Sequence, residues 1–261
     1  MSPAAPFAGT GSLELAHARL WARWGRRPDA ASWRRIEVTR DLDAVLVLAH
    51  AGPLGRWLDG LDGRADLHRV DRRLRAGWRA CTDELAGWMP DEWRDAVRWC
   101  ATLVDLPRWQ HLARDPQGQD PHEDRIAADA ECLPWLRQRS ARLVLAQLAL
   151  GRALRADPDR ALAGWLAAWH ELLPAGRGAT RLLDGLVPAL RDHHARFGTA
   201  GLADAGPLRL QLQSRLLRLM RRHPVEPLCA FAYLALCALE LERLRGELVR
   251  RAAFPDRGIA P

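Results

Sequence analysis

The stretch that decides the fold covers residues 207–254, PLRLQLQSRLLRLMRRHPVEPLCAFAYLALCALELERLRGELVRRAAF. It reads as two antiparallel helices joined by a proline elbow, His223-Pro224-Val225-Glu226-Pro227. Pro207 opens the first helix, where a missing N–H has no intrahelical partner anyway. Leu208, Leu212, Leu216 and Leu219 make its apolar stripe, and Arg215, Arg218 and Arg222 line another face. The second helix, from Pro227 to about Arg251, begins with the uncharged run 228–239 and then turns amphipathic as ELERLRGELVRR. Leu234, Cys237, Leu241, Leu244 and Leu248 keep a 3–4 spacing, which predicts a seam that stays buried along the whole helix. Glu240–Arg243, Glu242–Arg245 and Glu247–Arg251 read as outward pairs, each worth about 0.2–0.5 kcal/mol. The front half is apolar all round and needs protein on every side. It is far short of the roughly 20 apolar residues that a bilayer requires. The second helix is therefore predicted to be a central core helix, and 207–254 a closing helix pair packed in the core.

A chain of 261 residues can hold one large domain or two or three small ones. The opening MSPAAPFAGTGS has neither a basic nor an apolar signal region, so 1–11 is expected to be a flexible leader and 255–261 a flexible tail. Five cysteines (Cys81, Cys100, Cys132, Cys229, Cys237) are odd in number and lack C-x-x-C spacing. They read as reduced, buried small hydrophobes of a cytosolic protein. The net charge of +7 and the isoelectric point of about 10.2 invite a nucleic-acid reading. All 39 basic residues are Arg, however, and the chain has no Lys and no Asn. Abundant Arg, Ala, Gly and Pro beside scarce Ile and Tyr is the pattern of a GC-rich coding sequence. Codon supply thus accounts for part of the charge. An acidic protein partner or a solvated surface is the preferred reading, and a basic all-helical adaptor binding nucleic acid is the alternative.

The remaining chain reads as helix almost throughout. Ser12 can cap a helix to about Arg27, with Leu13, His17, Leu20 and Trp24 on one face and Arg19, Arg23 and Arg26 on another. Asp29 caps a helix carrying Trp33 and Ile36. Asp41 starts a short one, DAVLVLAH at 43–50, stopped by Gly52-Pro53. Its valines suit a strand, but no second strand exists to pair with it. Leu67, Val70, Leu74, Trp78, Cys81, Leu85 and Trp88 make the stripe of a long helix over 65–88. Asp91 restarts a helix through Trp93, Val97 and Cys100, which breaks near Pro107. DPQGQDPHED, 115–124, is a loop and a candidate boundary. Asp157-Pro158 caps a helix with Leu162, Trp165, Trp169 and Leu172 on one face. A helix over 178–197 is expected to bend at Pro188, and 199–206 is a second linker. The linkers divide the chain into 12–114, 122–198 and 207–254, each made of helical hairpins in an all-α fold.

The spacing of chemical groups assigns no catalytic, cofactor-binding or metal residues, so the chain is not read as an enzyme. Adjacent His193 and His194 point about 100° apart on a helix and cannot easily share one ion. His122-Glu123-Asp124 opens a helix, where acidic residues suit the dipole. No G-x-G-x-x-G, G-x-x-x-x-G-K-[ST] or G-x-S-x-G occurs. The absence of Lys removes P-loop and Schiff-base mechanisms. Asp91, Glu92 and Asp95 are explained by their place at a helix start. Trp33, Trp78, Trp88, Trp93, Trp99, Trp165 and Trp169 fall at helix-face spacing and read as core. Trp57 beside Arg56, Trp109 beside Arg108 and Trp135 near Arg137 are candidate stacking platforms for bases.

A family resemblance lies at the two ends. LAHARLWARWGRR, 15–27, resembles the "NARVRA…R" opening of the C-type (also called d-type) subunit family of V/A-type ATPases, with His17 where Asn is usual, followed by Ala18 and Arg19. HPVEPLCAFAYLALCALELERLRGELV is similar to that family's closing helix, where a proline precedes "AYL", an acidic residue and "NLR". Ala232-Tyr233-Leu234, Glu240 and Leu244-Arg245 take those places, with Arg243 where Asn is usual. VDLPRWQHLAR, 104–114, resembles an internal "D…NLK…LR" segment, matching Asp105 and Leu112. The resemblance implies three similar helical subdomains in a funnel-like array, placed between the central stalk and the membrane rotor ring of a rotary ATPase. It implies coupling without catalysis or cofactors, peripheral on the cytoplasmic face of the inner membrane. Arg19, Arg23, Arg215, Arg218 and Arg222 are the candidate residues for meeting those partners.

Overall fold

A computed structural model describes residues 12–114, 140–201 and 204–254. The expected leader and tail, the loop 115–124 with His122-Glu123-Asp124, the helix after it, Cys132 and Trp135 lie outside the described residues. The first half of the described chain forms α1 (Leu13–Gly25), α2 (Ala30–Val38), α3 (Leu42–His50), α4 (Leu67–Trp88), α5 (Asp91–Trp99) and α6 (Leu106–Arg114). The second half forms α7 (Ala141–Ala156), α8 (Ala161–Leu172), α9 (Arg177–Arg181), α10 (Val187–Thr199), α11 (Ala205–Arg222) and α12 (Pro227–Ala253). Short 3-10 turns at Pro53–Trp57, Cys100–Asp105 and Pro158–Arg160 and a π turn at Leu182–Leu186 complete the set. The fold is all-α, with no strand among the described residues.

The chain folds into two compact units whose borders do not follow the segments 12–114, 122–198 and 207–254. One, the central unit, is Thr82–Ala179; the other, the terminal unit, joins Glu14–Cys81 to the chain from Thr180 on. Local composition marks linkers, whereas the units are decided by which distant faces pack together, so the passage between them falls inside α4.

The central unit is built on tryptophan. Trp165 and Trp169 lie one turn apart on α8 and stack at 6.0 Å, and Trp99 of α5 stacks on Trp165 at 6.2 Å. Each buried indole N–H has an acceptor: Trp99 donates to the Trp165 carbonyl at 3.3 Å, Trp165 to Thr102 Oγ1 at 2.7 Å and Trp169 to the Ala96 carbonyl at 3.1 Å. Gly164 lets α8 approach α7, since a Cβ there would lie 2.8 Å from that of Ala153. Ser140 caps α7 through the Leu143 N–H at 3.2 Å, and its hydroxyl donates to Asp95 at 2.7 Å. The break expected near Pro107 is instead the 3-10 turn at Cys100–Asp105, and Pro107 sits in the first turn of α6, where its missing donor costs nothing.

The terminal unit is organised around α12. Pro227–Leu234 is buried throughout, and Leu236, Cys237, Leu241, Leu244 and Leu248 continue the buried seam. Each fully buried Leu or Phe contributes about 1.5–3 kcal/mol relative to exposure. α11, α3 and the π turn pack against this helix. On α11 the buried stripe is Leu208, Leu212, Leu216 and Met220, and Met220 replaces Leu219, which is only half-buried. DAVLVLAH is a helix whose Asp41 side chain accepts from the Ala44 N–H at 2.8 Å. The bend expected at Pro188 is carried by the π turn, and Pro188 lies in the first turn of α10.

The pairs expected along the outside of α12 are mostly tertiary. Glu240 meets Arg56, Arg243 meets Glu37 at 2.5 Å, and Arg245 meets Asp71 at 3.0 Å. Glu247 does pair with Arg251 at 2.7 Å, but this arginine is buried, and it extends the apolar seam with a charge. Its guanidinium donates to the Ile36 carbonyl at 2.5 Å and the Thr39 carbonyl at 2.6 Å, closing the C-terminal end of α2.

Candidate functional site

Several of the groups singled out in sequence fall into two clusters of the terminal unit. The first lies where Pro53–Trp57 meets α12. Arg56 donates to Tyr233 Oη at 3.2 Å and Glu240 Oε1 at 2.8 Å, and its guanidinium sits 4.4 Å over the Trp57 ring. Trp57 Nε1 donates to the same Glu240 oxygen at 2.8 Å, and Arg56 also reaches Cys237 Sγ at 3.7 Å. Burial works against the charge of Arg56, yet Cys237, Glu240 and Tyr233 together hold its pKa above the ordinary value. Burial raises the phenol of Tyr233 and the thiol of Cys237, so both stay protonated at neutral pH. Gly77 makes room for the indole, because a Cβ there would come within 3.1 Å of Trp57 Cε3. A network with these partners fixes α12 in place.

The elbow between α11 and α12 is held by the opening of the chain. Val225 has a positive φ of 57°, a conformation that costs a β-branched residue of order 1–3 kcal/mol. Its N–H donates to His17 Nδ1 at 3.3 Å, which requires the ring proton of a neutral His17 on Nε2. Glu226 pairs with Arg181 and lies 3.6 Å from His223. Burial, followed by Arg181 and Arg222, holds His223 below the ordinary histidine value.

The second cluster is the outward face of α11. Arg215, Arg218, Arg221 and Arg222, with Leu219, line one shallow concavity of about 580 Å³. Arg215 reaches Asp192 at 3.5 Å. No acidic partner is found for Arg218, Arg221 or Arg222 among the described residues.

The predicted residues are thus partly brought together. Arg215, Arg218 and Arg222 share one surface, and Arg19 and Arg23, on α1, do not line it. Tyr233 and Glu240 share the Arg56 network, Leu244 is buried in the α12 seam, and Arg245 reaches Asp71. Ala18 is exposed; in the central unit Asp105 is fully buried and Leu112 half-buried. Trp57 and Trp109 are each only 1% exposed, which removes them as stacking platforms for bases. Their size and apolar rings outweigh the adjacent arginines in deciding their position. Sequence reasoning missed Asp71 and Arg221, and it gave Arg56 and Arg251 other roles, one beside a stacking platform and one in an outward pair. Only Arg221 had a usable signal, its adjacency to Arg222 on the same helix.

Comparison of the chain with protein-family models, with curated proteins and with solved structures finds no match.

Proposed function

We propose that this chain is a non-catalytic coupling subunit of a V/A-type rotary ATPase, linking the central stalk to the membrane rotor ring. The reading starts from the likeness of its opening and closing motifs to the C-type subunit family. One observation supports it: the opening and closing stretches that carry the likeness fall in one unit, where a residue of the first meets a residue of the second and the closing helix is tied to residues between them. His17 receives the Val225 N–H, Tyr233 and Glu240 close around Arg56 and Trp57, and Arg245 reaches back to Asp71. Polar matches that tie the closing helix to the first part of the chain suit a part that transmits force. They leave the outer surface, with Arg215, Arg218 and Arg222, for partners. Attachment at the membrane is peripheral and through protein, in keeping with the finding that no described helix is long and apolar enough to cross a bilayer.

Affinity purification of the full chain from its native membranes tests the proposal. Co-purification of rotary-ATPase stalk or rotor-ring subunits is the expected result. Recovery of ribosomal or nucleoid material, with no ATPase subunits at any salt concentration, overturns it in favour of the basic nucleic-acid adaptor, whose binding falls steeply with salt.

A further inference from the structure

We infer that the outward face at the C-terminal end of α11 docks a carboxylate-bearing amphipathic helix of a protein partner. The inference rests on the coupling reading only in taking the partner to be a protein. Arg215, Arg218 and Arg222 stand at i, i+3 and i+7, about one rung per helical turn of ~5.4 Å. Carboxylates on one stripe of a partner helix repeat at the same interval, so the two faces can pair rung by rung. Arg221 widens the stripe, and all four arginines line the same concavity.

A bland explanation exists for part of this cluster. Basic residues in the last turn of a helix are favoured by its dipole, at about 0.3–1 kcal/mol each. That covers Arg221 and Arg222 and fades before Arg215 and Arg218. Within the described residues the positive charge is offset only at Arg215, by Asp192, itself exposed on α10. The lowered pKa of His223, to which Arg181 and Arg222 both contribute after burial, reports the same positive field.

Leu219 decides the chemistry of the partner. It lines the concavity among the four arginines and is only half-buried by its own unit. A phosphate backbone offers nothing apolar to cover it. A helix with Glu or Asp flanking a leucine satisfies the guanidiniums and removes the exposed part of Leu219 from water together. Long-range attraction of opposite charges would act mainly on the rate of encounter.

The test uses a fluorescently labelled synthetic helix of about three heptads, with Glu on one stripe and Leu between the Glu rungs. A Gln-for-Glu version and a duplex DNA of similar charge serve as comparison probes. Anisotropy is measured against the full chain and against Arg218→Gln/Arg221→Gln/Arg222→Gln, whose fold is checked by circular dichroism. A parallel Arg218→Lys/Arg221→Lys/Arg222→Lys protein keeps the charge. The Glu helix is expected to bind the parent and the Lys protein, and to bind the Gln protein about tenfold or more weakly. The Gln helix is expected to bind the parent as weakly. Absence of binding, equal binding to the parent and the Gln protein, or tighter binding of DNA than of the Glu helix at physiological salt overturns the inference. Recovery of ATPase subunits from membranes by the Gln protein as fully as by the parent also sinks the docking face, leaving the coupling reading intact. Peptide binding through α11 with no ATPase subunits recovered has the opposite meaning.

Discussion

Replacing Arg251 by Met keeps the length of the aliphatic stem and removes one guanidinium. That group is 1% exposed, so solvent does little to screen its interactions. It donates to Ile36 O at 2.5 Å, to Thr39 O at 2.6 and 2.8 Å, and to Glu247 O and Oε2 at 2.6 and 2.7 Å. Ile36 O and Thr39 O belong to the end of α2, where the helix itself supplies no donors. The orphaned carbonyl of buried Ile36 costs about 1–3 kcal/mol and that of half-buried Thr39 less, and breaking a buried ion pair from one side costs about 3–5 kcal/mol. The two figures overlap in the same event and are not summed. Glu247 retains Arg250 at 3.3 Å and is 20% exposed, which eases its share. The expected loss is therefore about 3–5 kcal/mol, a drop in Tm of roughly 6–20 °C for a domain of this class. Urea titration and scanning calorimetry measure it. Glu247→Gln, which spares the carbonyl bonds, is expected to cost about 1 kcal/mol. A loss below about 1 kcal/mol for Arg251→Met, or equal losses for the two variants, would refute the clamp.

Asp71 accepts from Arg245 at 3.0 Å and pairs with Arg75; burial opposes its ionisation, but these two arginines outweigh it and hold its carboxyl below the ordinary aspartate value. With the folded pKa depressed, the stabilisation is complete above the unfolded value of about 3.9 and is lost as pH falls through the folded value. The urea midpoint of the parent is expected to exceed that of Asp71→Asn at neutral pH, and the gap to close in acid; a gap constant down to the acid limb would contradict this. Thr102→Val removes the acceptor of the Trp165 indole, leaving a buried N–H without its 2.7 Å partner. A loss of about 1–3 kcal/mol in urea is expected, and an unchanged midpoint would show that the stack does not depend on this bond.

The class of the fold was legible because apolar periodicity is a local property. The run 228–239 and the seam through Leu248 could only be a covered helix, and the cap Asp41 outweighed the valines behind it. The partners of Glu240, Arg243 and Arg245 were not legible. Intrahelical pairing offers each of them a neighbour at the right spacing, worth only a few tenths of a kcal/mol, and any well-placed group from another element outbids it. Arg251 misled for a related reason: it continues the Leu244–Leu248 stripe, but a charge reads as exposed unless its acceptors are known, and these lie 212 and 215 residues away. Of the candidate surface, Arg215, Arg218 and Arg222 were visible from their spacing, whereas the role of Leu219 depended on Met220 taking the buried position. The limits of the two units were hidden entirely, since residues 14–81 close against the chain from Thr180 onward.

That closure has a consequence for synthesis. The segment 14–81 leaves the ribosome long before α12 exists, and Arg56 must wait for Glu240, 184 residues later. At about 5–20 residues per second, completion of α12 follows by roughly 10–40 s. The described part of the central unit can settle during that interval, while Trp33, Val45, Leu46 and Trp57 emerge with no closing helix to cover them. A nascent chain of this design presents its earliest apolar surface the longest, so holding chaperones and the pace of translation are expected to weigh on its yield beside final stability.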